Sequence, residues 1–265
     1  MGFSAKKFMT TVFCALKPEA EPLIRELDLK PISSTLYESD NVQLMITGIG
    51  KLNASSSAGF CLGRYGVSDC YVNYGTAAGA RELTGQTFFA GQITDAGSGK
   101  EFFPDIADTE FKHISLVTSD VPVSEINDSC HIYDMESSGI CTALRSAVTP
   151  DRMIFIKTVT DSGTPDFTKT KVLIEDASAA VISYIRKISA KKPVNSQENG
   201  DYLNELCEEF KCSESMRIQL KQFVKYQEVS GNLGEFDSHI ASLRAKGLLP
   251  APDRRHGKKL LAQFM

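Results

Sequence analysis

The chain has 265 residues, 42% hydrophobic and 23% charged, an ordinary globular composition that excludes wholesale disorder. Its 29 basic residues against 33 acidic ones leave a net charge of −4, which gives no support to a broad nucleic-acid-binding face. No apolar run approaches the roughly 18 residues a membrane span needs, and seven cysteines without a CxxC pair, with four scattered histidines (His113, His131, His239, His256), predict a reduced cytoplasmic protein with no metal site and no cofactor.

In chain order, apolar β-branched runs predict strands over 10–16, 42–47, 69–74, 87–94, 114–118, 130–135 and 153–160. The first of these is read as a buried strand rather than a leader, because Lys17 and Pro18 follow it without a small-residue cleavage site. Helices are predicted over 18–28, 51–66, 137–147 and 169–189. The last carries the stripe Val172, Leu173, Ala177, Ala180, Val181, Tyr184, Ile185 and Ile188. Alternating strands and helices predict an α/β fold, a three-layer α/β/α sandwich around a twisted mixed, mainly parallel sheet. Residues 1–189 form that domain. The polar stretch 190–200 reads as a linker. Residues 201–265 read as a helical extension with helices near 201–211, 214–228 and 235–246, the second capped by Ser213 or Ser215. The basic end, LLPAPDRRHGKKLLAQFM, is expected to be loose or docked on a neighbour.

Two familiar motifs fail. Gly48-Ile-Gly-Lys51 is too short for a phosphate-binding loop, since Leu52 stands where Ser or Thr is required. Gly-x-Ser-x-Gly does not occur. What remains is a series of polar residues at strand ends, where open parallel sheets bind ligands. These are Glu19, Gly48 to Gly50, Gly75-Thr76, Asp134-Met135-Glu136 and Asp161. Each has a structural alternative. Glu19 and Glu136 suit the first turn of a helix. Asp161, in TDSGTPD, suits a side-chain-capped turn. Gly75 suits a tight turn, and Met135 suits the core.

Taken together, the segments Cys14-Ala-Leu-Lys-Pro-Glu-Ala-Glu21, Thr47-Gly-Ile-Gly-Lys51, Val72-Asn-Tyr-Gly-Thr-Ala-Ala-Gly79, Tyr133-Asp-Met-Glu-Ser-Ser138 and Ile156-Lys-Thr-Val-Thr-Asp161 resemble, in order and spacing, the nucleoside phosphorylase superfamily. Within it, they look most like the 5′-methylthioadenosine/S-adenosylhomocysteine nucleosidases. The resemblance covers about 12–189. It implies a nucleoside-binding catalytic domain that takes a small purine nucleoside and assembles as a homodimer or higher homo-oligomer. Glu19 corresponds to the acid that activates the hydrolytic water, and Thr76, beside Gly75, to the hydroxyl that holds it. Met135 and Glu136 correspond to the pair against the ribose, and Asp161 to the acid that meets purine N7. Three nearby positions depart from the family: Lys157 replaces an Arg near the water, Thr160 a Ser, and Asp134 a Glu.

The implied chemistry needs two carboxylates in opposite protonation states. One takes a proton from water, and the other shares one with the departing base. Phosphorylases of the superfamily carry an Arg where this chain has Asn73, so hydrolysis is expected over phosphorolysis, with Lys51 or Lys157 as the alternative phosphate holder. A binding or scaffold protein using the C-terminal helices is the further alternative. Four basic residues in the tail are weak support for a nucleic-acid partner.

Overall fold

The computed structural model describes residues 9–104, 111–124, 126, 128–190, 196–213 and 233–263, with 216, 217, 220, 223, 224 and 227. The chain divides into two compact units, Met1–Pro193 and Val194–Met265. Among the described residues no helix is long and apolar enough to cross a membrane.

The first unit is a mixed α/β structure. Its elements are β1 (Thr10–Cys14), α1 (Lys17–Glu26), β2 (Lys30–Pro31), β3 (Leu36–Glu38), β4 (Val42–Ile46), α2 (Lys51–Tyr65), β5 (Cys70–Gly79), β6 (Thr87–Asp95), β7 (Glu101–Phe102), β8 (Lys112–Thr118), β9 (His131–Asp134), α3 (Ser137–Leu144), β10 (Met153–Asp161) and α4 (Phe167–Ser189). The predicted strands and helices are present within a few residues, except that β5 runs on past its predicted end at 74 through Gly75 and Thr76 to Gly79. The short strands β2, β3 and β7 have too few apolar residues to give a periodic signal.

The open sheet of a simple sandwich is not what forms. β5 pairs with β10, β10 with β6, β6 with β8, β8 with β9, and β9 returns to β5, so five strands close into a ring. β1 and β4 continue the sheet outward from β5. The sheet is mixed: among the described residues five pairings are parallel and five antiparallel, and every parallel pairing is longer in register than any antiparallel one.

Closure has a local cause. β5 is long and ends in small residues, Gly75-Thr-Ala-Ala-Gly79. A Cβ on Gly79 would sit 3.0 Å from Val159 and 3.3 Å from Ile132, so glycine eases the convergence of β9 and β10 there. Register shifts at Ala90/Gln92 and Val159/Asp161 add the bends that curvature requires.

Two apolar cores flank the sheet. One joins Val12, Val72, Tyr74 and Ile156 to Ala20 and Leu23 of α1 and Ile174, Val181, Ile185 and Ile188 of α4. The other fills the ring with Ala77, Phe88, Ile93, Leu116 and Ile132, and continues into Ala54 and Ala58 of α2 and Ile140 and Leu144 of α3. The stripe predicted for α4 is rotated at its start: Val172 is exposed, and Ile174 packs inward instead.

The second unit has its own core, including Leu206, Phe210, Leu220, Phe236, Ile240, Leu243 and Leu261. Helices span Ser196–Glu209, Leu233–Ala245 and Arg254–Leu261. The first begins inside the predicted linker, of which residues 191–195 lie outside the described residues. The Ser213 hydroxyl accepts from the Met216 N–H at 3.4 Å, and Ser215 lies outside the described residues. The basic tail is not loose. Asp253 caps its helix through the His256 N–H at 2.9 Å, and Gly257 lies flat against Phe210.

A Cβ at position 257 would fall 1.7 Å from the Phe210 carbonyl oxygen. Gly257→Ala therefore destabilises this unit by about 1–3 kcal/mol through overpacking, although alanine favours an isolated helix by about 1 kcal/mol. Urea denaturation followed by far-UV circular dichroism reads the sign, and a stabilised variant contradicts the packing.

Candidate active site

Parallel pairing of β1, β5 and β10 brings their carboxyl ends side by side, and β9 crosses the end of β5. The turns beyond these strands enclose one cavity of about 380 Å³. Glu19, Thr76, Asp134, Met135, Glu136, Thr160 and Asp161 all line it. Of the residues singled out at the strand ends, Gly48, Gly50 and Gly75 stand outside the wall, as does Lys157.

Glu19 serves two purposes at once. One carboxylate oxygen accepts the Leu16 N–H at 2.8 Å, closing the first turn of α1. The other accepts the Thr76 N–H at 2.8 Å and the Thr76 hydroxyl at 2.9 Å. Gly75 leaves room for this approach, since a Cβ there would lie 3.0 Å from the same oxygen. The helix-start role and a place in the cavity wall thus coexist in one buried side chain.

Glu136 precedes α3 and is buried. Its Oε1 accepts the Gly50 N–H at 2.8 Å, and Oε2 the Met135 N–H at 3.3 Å. Gly50 has φ +97°, in the left-handed region that favours glycine. Burial, and then the neighbouring Asp134 charge, raise the Glu136 carboxyl above its ordinary range, although Lys157 and the Gly50 N–H pull the other way.

Asp134 is the hub beneath the cavity. Its Oδ2 receives Lys157 Nζ at 2.9 Å, the Ser137 hydroxyl at 2.6 Å and the Ser137 N–H at 3.0 Å. Its Oδ1 receives the Thr118 hydroxyl at 2.8 Å. Lys157 is 1% exposed. Burial works against its charge, but Asp134, Glu136 and Glu19 outweigh that and hold the ammonium above its usual pKa. The structure thus places Lys157 on Asp134, deep in the ring.

Asp161 ends β10. Its Oδ1 accepts the Gly163 N–H at 2.8 Å, the capped turn suggested by sequence, and its Oδ2 is 3.3 Å from the Thr160 hydroxyl. A Cβ on Gly163 would meet the Ser124 carbonyl at 2.6 Å, so the segment 119–124, which adds Val121, Pro122 and Val123 to the wall, packs directly on the Asp161 turn.

The positions considered for phosphate are occupied otherwise. Asn73 donates to the Phe13 carbonyl at 3.1 Å and accepts the Ser137 hydroxyl at 3.0 Å. Lys51 bridges Asp95 and Asp120, each at 2.8 Å. Asp95 also accepts the Ser138 hydroxyl at 2.7 Å, and these bonds outweigh its partial burial to hold its carboxyl well below the usual range. Sequence reasoning missed Asp95, Asp120 and the apolar wall residues Val121 and Phe167.

No protein-family model and no curated protein matches the sequence. Solved structures do. A putative 5′-methylthioadenosine/S-adenosylhomocysteine nucleosidase from Francisella philomiragia aligns at TM-score 0.55 and 15% identity, over 67% of this chain and 98% of its own. The enzyme of that name from Neisseria meningitidis, in complex with methylthio-immucillin-A, aligns at 0.56 and 18%, over 68% and 99%. The Helicobacter pylori enzyme aligns at 0.56 and 10%, over 68% and 97%. This chain has the fold of the 5′-methylthioadenosine/S-adenosylhomocysteine nucleosidases. The nucleosidase fold is nearly complete here, and roughly a third of this chain extends beyond it.

Lys157→Met leaves Asp134 buried without its cation and lowers stability by about 3–5 kcal/mol. Because the lysine's folded pKa is raised, its contribution is complete below the unfolded value of 10.5 and is lost as pH rises past the folded one. Urea melts at neutral and alkaline pH read both effects. A variant as stable as the parent at pH 7 contradicts the pairing.

Proposed function

We propose that the chain hydrolyses the N-glycosidic bond of a purine nucleoside such as 5′-methylthioadenosine or S-adenosylhomocysteine, releasing the free base and a ribose derivative. The observation that carries this reading is the meeting of Glu19, Glu136 and Asp161 in one cavity.

The surroundings of each residue support the role that the family resemblance implies. Glu19 accepts from the Thr76 hydroxyl, and the same pair holds the attacking water, with Glu19 taking its proton. The two oxygens of Glu136 accept the vicinal ribose hydroxyls and stabilise positive charge growing on the sugar, beside Met135. Asp161, backed by Thr160, shares a proton with purine N7 as the bond breaks, so the base leaves neutral. Hydrolysis is favoured over phosphorolysis because Lys51 and Lys157 are both engaged by carboxylates and Asn73 has no free donor fork.

Chromatography of nucleoside digests with and without phosphate tests the reading. Free base and free sugar should form at a rate independent of phosphate. A sugar phosphate, with a rate that rises with phosphate, overturns it.

Asp161→Asn keeps the acceptor for Gly163 but has no carboxylic proton. Turnover should fall by about 10²–10⁴-fold, with the melting temperature nearly unchanged. Asp161→Ala should lose turnover and also about 1 kcal/mol of stability, the cap's share. Near-parental turnover in the Asn variant removes Asp161 from the chemistry.

Glu136 supplies the pH dependence. Its raised pKa means that acid protonates it earlier than an ordinary Glu of pKa 4.5, and the protonated form loses an acceptor for ribose. kcat/KM should therefore fall as pH drops through a pKa above that value, and Glu136→Gln should abolish this limb. An unchanged limb in the variant assigns it to another group.

A further inference from the structure

We infer that Lys171 selects nucleosides whose 5′ arm ends in a carboxylate. This rests on the nucleosidase reading for which part of the substrate faces which wall.

Helix α4 sends Phe167, Thr170, Lys171 and Ile174 to the cavity. Their spacing of i, i+3, i+4 and i+7 puts them on one helix stripe. The stripe is graded: Ile174 is 1% exposed and Phe167 is 78% exposed, so it runs from the buried end of the cavity to its mouth. Lys171 sits between, on the exposed part.

The wall is otherwise acidic. Glu19, Asp134, Glu136 and Asp161 line it, and among the described lining residues Lys171 is the single cation. Unlike Lys51 and Lys157, it makes no hydrogen bond or ion pair among the described residues. In the proposed reaction Asp161 takes the base and Met135 and Glu136 take the ribose. The portion of the substrate left for α4 is the 5′ arm. Phe167, Ile49 and Val121, all exposed large apolar residues of the wall, suit its stem.

An anion deeper in the cavity meets like charges, which cost energy in a site screened from water. At the mouth it meets the Lys171 ammonium. One ammonium is a point charge without the planar fork of a guanidinium, and the wall adds no arginine among the described residues. A carboxylate monoanion therefore fits better than a phosphate dianion.

The experiment uses the full chain and a matched set of 5′-thio nucleosides whose arms end in methyl, carboxylate, phosphate or ammonium. The ratio of kcat/KM for each charged arm to the methyl arm is read within the parent, Lys171→Met and Lys171→Glu. The parent should favour carboxylate by about two- to fivefold, the size of a solvent-exposed ion pair. That ratio should fall toward one as salt rises. Lys171→Met should bring it to about one, and Lys171→Glu should favour ammonium. A parent ratio of one, a ratio that persists in Lys171→Met, or a phosphate arm preferred over carboxylate overturns the inference. If no nucleoside is cleaved, calorimetric binding of the same set decides separately. A carboxylate preference lost in Lys171→Met keeps the selection while removing the hydrolase reading; equal binding of all arms, or none, overturns the selection as well.

Discussion

One buried carboxylate holds the strand ends that build the site. Asp134, at the end of β9, takes hydrogen bonds from Thr118 on β8, Lys157 on β10 and Ser137 on α3. Ser137 passes the linkage to Asn73 on β5, and Asn73 to the Phe13 carbonyl on β1. Five strands and a helix are thereby fixed around a charge that cannot stay buried alone. Moving any strand by one residue breaks this chain of bonds and turns its inward side chains outward. The register that aligns Glu19, Thr76, Glu136 and Asp161 is the register that satisfies Asp134.

The same economy appears in the wall. Glu19 and Asp161 each close a local turn with one oxygen and keep the other toward Thr76 or Thr160. Backbone N–H groups fix the two carboxylates, the preorganisation that the proposed catalysis requires. Small residues complete the arrangement. Gly75 admits the Glu19 oxygen, Gly163 admits the 123–124 backbone, and Gly139 lets α3 lie against the start of α2, where a Cβ would meet the Lys51 carbonyl at 2.4 Å.

Much of this was legible in the sequence, and the failures have physical causes. Runs such as MIFIKTVT announce their strand because local apolarity and β-branching suffice. The ring does not announce itself, because its closing contacts, Ala78 with Tyr133 and Ile156 with Phe89, join residues far apart in sequence. A lysine inside an apolar strand signals a buried partner, but nothing local says that the partner is Asp134. The helix Arg254–Leu261 was missed because its exposed cations dominate the composition, while only Gly257 and Leu261 are buried. The acids at strand ends were readable as candidates one by one. Their shared cavity depends on tertiary pairing, and Phe167 and Lys171 carry no sequence pattern that separates a wall residue from an ordinary exposed helix face.

In the proposed reaction three carboxylates act on one bound nucleoside, each on its own part. A crystal structure of the Glu19→Gln full chain soaked with 5′-methylthioadenosine tests this most directly, since slowed turnover leaves the substrate intact. The ribose hydroxyls should lie on the two oxygens of Glu136 and purine N7 on Asp161, each at about 3 Å, the ordinary hydrogen-bond distance. A nucleoside bound outside this cavity, or one whose base turns away from Asp161, contradicts it.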